Sequence, residues 1–149
     1  MIALMALSVP AAAQAQIFQG RIDELKARTM LVESAIAQAG AGEDRSCGAL
    51  RPAESQATSN ADYVATASEW QSKPGLSDTT YWRLGKVVRE GAPLVARGLL
   101  DVAGAYQRWG CKDDAKRVYL QVISTFTGSN YAAYRELASE GLADLRAGN

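Results

Sequence analysis

A chain of 149 residues, 48% hydrophobic and 21% charged, has the size and balance of one folded domain rather than of a disordered segment. Sixteen Lys and Arg offset sixteen Asp and Glu, so no global field draws the chain to nucleic acid or anionic lipid. The absence of histidine removes Ser-His and Cys-His nucleophile pairs and the usual zinc ligands. It weighs against an enzyme, and no carboxylate pair stands out to do acid–base chemistry in its place.

The N-terminus reads as an export signal over residues 1–15. Ile2 to Val9 are a short apolar stretch, followed by Pro10 and the small residues Ala11, Ala12, Ala13 and Ala15. Ala13-Gln14-Ala15 fits a small-x-small cleavage site that leaves Gln16 first, with cleavage after Ala13 the near alternative. The stretch is shorter than the roughly 20 residues a membrane-spanning helix needs, so it is not expected to span a bilayer, and the mature domain at 16–149 is expected to be soluble. No Lys or Arg precedes it, which leaves open whether Met1 is the natural start. A buried N-terminal helix is the alternative reading.

Export to a periplasmic or extracellular location gives the two cysteines an oxidising setting. Cys47 and Cys111 are even in number and belong to no Cys-x-x-Cys, so a structural Cys47–Cys111 bridge is expected rather than a redox pair. On a chain-entropy model, closing a loop of that length is worth about 4 kcal/mol.

The rest of the chain predicts about six helices and no strand, an all-α fold. A first helix over residues 17–39 carries Phe18, Ile22, Leu25, Thr29, Val32, Ile36 and Ala39 at alternating four- and three-residue steps. That stripe serves either packing within the domain or a coiled-coil arm over residues 16–39. Gly40-Ala41-Gly42 reads as a linker after it. A second helix starts near Pro52 and ends near Trp70, with small inner residues Ala53, Ala57, Ala61 and Ala67; Thr58-Ser59-Asn60 threatens its continuity. Ser72-Lys73-Pro74-Gly75 is a turn, and Ser77 or Asp78 caps a third helix through Arg89. Gly91 is expected to stop that helix and Pro93 to open a fourth, ending at Trp109. After a turn at Gly110 a fifth helix runs to Phe126, with Asp113 and Asp114 in its first turn. Gly128 ends it, and Ser129 caps a sixth helix to about Arg146. Trp70, Trp82 and Trp109 are expected in the core.

From Leu99 the spacing has a further meaning. Leu99, Val102, Ala103 and Tyr106 precede Gly110, and Ala115, Tyr119 and Val122 follow it. Over residues 96–129 this order of large and small positions resembles a tetratricopeptide repeat, a helical hairpin of 34 residues. Leu99 stands where the repeat usually has an aromatic residue and Thr127 where it ends in proline. Trp82, Leu84 and Gly85 echo the pattern upstream, one residue out of step. The resemblance implies antiparallel helical hairpins, with residues 93–147 a hairpin plus a capping helix. It also implies a concave face built by the first helix of each pair. There Arg97, Leu100, Gln107 and Arg108 are the candidate partner-binding residues, two guanidinium forks beside one apolar side chain suiting a carboxylate-bearing peptide end.

Nothing points to a cofactor or a metal. Glu43-Asp44 and Asp113-Asp114 lack calcium-loop spacing, and Ser46 has no base beside it. The expected function is that of a periplasmic protein–protein interaction module: an adaptor, accessory subunit or chaperone of an envelope or secretion assembly, not an enzyme. The alternative is a self-assembling structural protein that homo-oligomerises through Phe18, Ile22, Leu25, Val32 and Ile36.

Overall fold

A computed structural model describes residues 18–148. The proposed signal segment, residues 1–15, lies outside the described residues, as does the proposed first mature residue, Gln16. Within them the chain is all-α and has no strand. The helices are α1 (Ile22–Ala41), α2 (Arg51–Gln71), α3 (Asp78–Lys86), α4 (Ala92–Arg108), α5 (Lys112–Thr125) and α6 (Ala132–Arg146). No described helix is long and apolar enough to cross a membrane.

The expected break between the third and fourth helices is absent. α3 passes through a π-helical turn, Val87–Gly91, directly into α4, so residues 78–108 form one rod and the described residues make five rods rather than six. Pro93 has no N–H to return to the preceding turn, and its ring crowds the carbonyl of Arg89. Widening the turn before it by one residue relieves both problems without ending the helix. Gly91 is not a stop but a contact: it is buried, and a Cβ there would collide with Leu25 Cδ2 of α1.

α4 is the element the others share, in contact with α1, α2, α5 and α6. Its inner face is built of Ala92, Val95, Ala96, Leu99, Val102, Ala103, Ala105 and Tyr106, all buried. Alanines on the facing helices, Ala53 and Ala57 on α2, Ala115 on α5 and Ala138 on α6, are buried as well. Short side chains on both partners let the helix axes approach and give each methyl group many dispersion contacts.

The first helix begins at Ile22, five residues later than expected, because Gly20 takes a left-handed conformation (φ 58°) ahead of it. Arg21 offers no side-chain cap. Instead Tyr63 of α2 takes over: its hydroxyl accepts from the Arg21 N–H at 2.9 Å and donates to Glu24 Oε2 at 2.8 Å. The heptad stripe of α1 lies inside the domain. Ile22, Leu25 and Val32 are buried, and Phe18, Ile36 and Ala39 pack half-buried against the same core. Ile22, Leu25 and Val32, three of the five residues assigned to self-assembly, are therefore covered by this chain's own helices.

Thr58-Ser59-Asn60 does not break α2. Buried Asn60 donates to the Arg28 carbonyl at 3.2 Å and accepts from Gln56 at 2.9 Å, while Arg28 reaches Ser59 at 3.0 Å. Polar residues that would weaken an isolated helix pin α2 to α1 instead. Ser77 is the cap of α3, accepting from the Thr80 N–H at 3.3 Å. The α4–α5 turn is a Schellman motif: Gly110 (φ 78°) donates to the Gln107 carbonyl at 3.0 Å and Cys111 to the Tyr106 carbonyl at 2.9 Å. Ser129 does not cap α6; it opens a 3₁₀ turn, and Arg135 Nη1 holds the Phe126 and Gly128 carbonyls at 2.6 Å each. Of the three tryptophans, Trp70 and Trp109 are half-buried against the core, whereas Trp82 is 63% exposed.

Two glycines in helical backbone separate packing from propensity. Gly91→Ala is expected to cost about 1–3 kcal/mol through the Leu25 collision. Gly40→Ala, where nothing lies within 4 Å, is expected to stabilise by about 0.5 kcal/mol. Urea denaturation of the two variants checks the opposite signs.

Candidate functional site

Three of the four candidate groove residues share one face of α4. Leu100 and Arg108 line an open groove of about 330 Å³ between α1 and α4, with Glu33, Ile36, Ala37, Asp101 and Gly104. Arg97 is exposed nearby and its charge acts on Asp101. Burial, and then Glu33, raise the Asp101 carboxyl above the usual carboxylate range, while Arg97 and Arg108 pull it back down. The two arginines thus face carboxylates of their own chain, and the groove has a mixed charge. Gln107 lies apart: its Oε1 accepts from the Tyr119 hydroxyl at 2.8 Å, on the α5 side.

The two cysteines meet just ahead of the first turn of α2. Cys47 and Cys111 form a disulfide with a Cα–Cα separation of 5.8 Å, tying the 3₁₀ turn before α2 to the α4–α5 turn. A polar cluster continues from the bridge. Tyr106 donates to Glu54 Oε2 at 2.5 Å, and Arg117 grips Glu54 with contacts of 3.0, 2.9 and 2.8 Å. The same guanidinium reaches Asp114 at 2.8 Å, with Arg51 at 3.9 Å from that carboxylate. Asp114 also lies within 4.8 Å of both sulfurs, but the sulfurs are spent in the bridge and offer no thiolate to a cation. The cluster is a clamp of α2, α4 and α5.

A third arrangement was not legible as a site. Lys112, Asp113, Lys116 and Leu120 of α5 line a groove of about 210 Å³ with Leu142, Leu145 and Arg146 of α6. Leu142 and Leu145 are half-buried and Leu120 is 46% exposed, which makes an apolar floor open to solvent. Three cations and one carboxylate surround it. None of the three cations is in an ion pair among the described residues. The available signal was the step of four from Lys112 to Lys116 to Leu120, set between the core positions Ala115, Tyr119 and Val122. The two neighbouring acids are sorted by the helix: Asp114 joins the clamp and Asp113 the groove edge.

Comparison of the chain with family models, with curated proteins and with solved structures finds no match.

The clamps make stability sensitive to alkali. Burial is the first cause that raises the Tyr63 hydroxyl to about 12, with Glu24 second; burial and then Glu54 raise Tyr106 as well. A phenol whose folded pKa exceeds its unfolded value of about 10 stabilises fully below that pH and progressively less above it. The urea midpoint is expected to fall as pH rises from about 10 toward 12, and less steeply in the Tyr63→Phe, Tyr106→Phe double variant. Equal slopes in the two proteins would contradict the assignment.

Proposed function

We propose that the chain is an exported interaction module that holds an acidic, amphipathic helical segment of another protein in the α5–α6 groove. The reading rests on one observation: an apolar floor of Leu120, Leu142 and Leu145 rimmed by Lys112, Lys116 and Arg146 against a single Asp113. An amphipathic helix enters such a groove by its apolar stripe, and its carboxylates meet the rim. A groove of about 210 Å³ suits one or two large side chains rather than a long peptide, so the hold is local and reversible.

The apolar residues 2–9, the small-x-small site and the cysteine pair support export. The Leu99–Val122 spacing supports a tetratricopeptide-like hairpin as the scaffold, and an adaptor, accessory subunit or chaperone of an envelope assembly is the matching role. The arginine face at Arg97 and Arg108 is the weaker candidate, because Asp101 already engages both electrostatically.

Fluorescence anisotropy with two labelled helical peptides tests the reading, one with leucines at alternating four- and three-residue steps among glutamates, the other with lysines for glutamates. The acidic peptide is expected to bind at least about tenfold tighter at low salt, and more weakly as salt rises. Lys112→Glu with Lys116→Glu should remove the preference, and Arg97→Glu with Arg108→Glu should leave it. Equal binding of both peptides, or loss in the arginine pair alone, would overturn the proposal.

A further inference from the structure

The surface opposite the buried side of α3 carries a different chemistry. Leu84, Gly85 and Val87 face inward, while Tyr81, Trp82, Arg83, Lys86 and Arg89 are exposed. Trp82 is 63% and Tyr81 44% exposed, and their rings meet edge-on at 5.5 Å, so each steadies the other. Residues 73–90 hold four cations (Lys73, Arg83, Lys86, Arg89) and two anions (Asp78, Glu90) in a chain of zero net charge. Arg83, Lys86 and Arg89 are in no ion pair among the described residues.

From this ridge we infer that the protein docks reversibly on a bilayer bearing anionic phospholipid, with Trp82 and Tyr81 entering the headgroup level and Arg83, Lys86 and Arg89 lying against the lipid phosphates.

Charge and side-chain chemistry together favour a lipid surface over a peptide. Neither aromatic residue, and none of these three cations, lines the α1–α4 groove or the α5–α6 groove, so the ridge is separate from both. An indole and a phenol with one apolar and one polar edge settle at the membrane–water interface, and neighbouring Lys and Arg are drawn to the negative surface potential. No described helix spans a membrane, so such docking is peripheral and salt-sensitive. The inference is independent of the α5–α6 groove.

Vesicle flotation of the full chain tests it, with phosphatidylcholine vesicles containing about 30 mol% phosphatidylglycerol against pure phosphatidylcholine, since only the former carries surface charge. Binding to the anionic vesicles alone is expected, with a blue shift of tryptophan emission and loss at high salt. Trp82→Ala should lower the bound fraction at least about fivefold, and Lys86→Glu with Arg83→Glu should abolish binding, both with unchanged helical circular dichroism because these side chains are exposed. Lys112→Glu with Lys116→Glu should float like the unaltered chain. Failure to float with anionic vesicles overturns the inference, as does floating undiminished by Trp82→Ala. Loss of floating in the Lys112, Lys116 variant alone, or Trp82-dependent capture of a protein without vesicle binding, also overturns it.

Discussion

The close contact of Gly91 with Leu25 is the constraint around which the domain is arranged. It lies at the one place where the longest rod had reason to break, just ahead of Pro93. A π turn keeps the rod whole, and Gly91 lets α1 close onto it without a Cβ in the way. With the rod continuous, α4 presents one unbroken face of alanine, valine and leucine to four other helices at once. Had the chain turned at Gly91, α3 and α4 would need a connecting loop and α1 would lose the surface that buries Leu25.

Close crossing through alanines has a consequence for the exterior. A core made of small residues admits few large ones, and several large apolar side chains stay at the surface: Met30, Leu31, Tyr81, Trp82, Leu120 and Leu137. Scattered singly such residues mean little, but two of these places combine them with cations that form no ion pair among the described residues. The zero net charge conceals that segregation. Three of the acids are held in clamps, Glu54 and Asp114 with Arg117 and Glu24 with Tyr63 and Arg28, whereas Lys112, Lys116, Arg83 and Lys86 stand beside apolar surface. Local imbalance in a neutral chain gives contact-range attraction without long-range steering.

Much of the architecture was legible because it rests on local rules. Ser77 caps, Pro52 sits in the first turn of α2, Gly110 supplies the left-handed residue of the α4–α5 turn, and Leu99, Val102, Ala103, Tyr106, Ala115, Tyr119 and Val122 are buried. The Cys47–Cys111 pairing followed from there being only two cysteines and a proposed oxidising setting. The failures arose where tertiary contact overrides local preference. Gly91 and Pro93 spell a stop in isolation, and only the facing Leu25 and the π turn make them a passage. Thr58-Ser59-Asn60 looks like a weak point until Arg28 of α1 supplies the partners. Trp82 is expected in the core but stands 63% exposed, and nothing local shows that α3 turns it outward. The candidate site was half legible: Arg97, Leu100 and Arg108 share a face of α4, but Glu33 and Asp101, which balance the arginines, come from the neighbouring α1 and from α4 itself beside Leu100. The α5–α6 groove needs two helices side by side, and the step from Lys112 to Lys116 to Leu120 marks only the α5 half of it.

Amide hydrogen exchange followed residue by residue tests the continuous rod most directly. If α3 and α4 are one element locked under α1, Val88 through Val102 (Pro93 apart, having no N–H) exchange only with global unfolding, at rates matching Leu25 and Val32. Fast exchange of residues 88–92, comparable to that of the exposed turn at 72–76, would reveal a hinge at Gly91 and contradict the account.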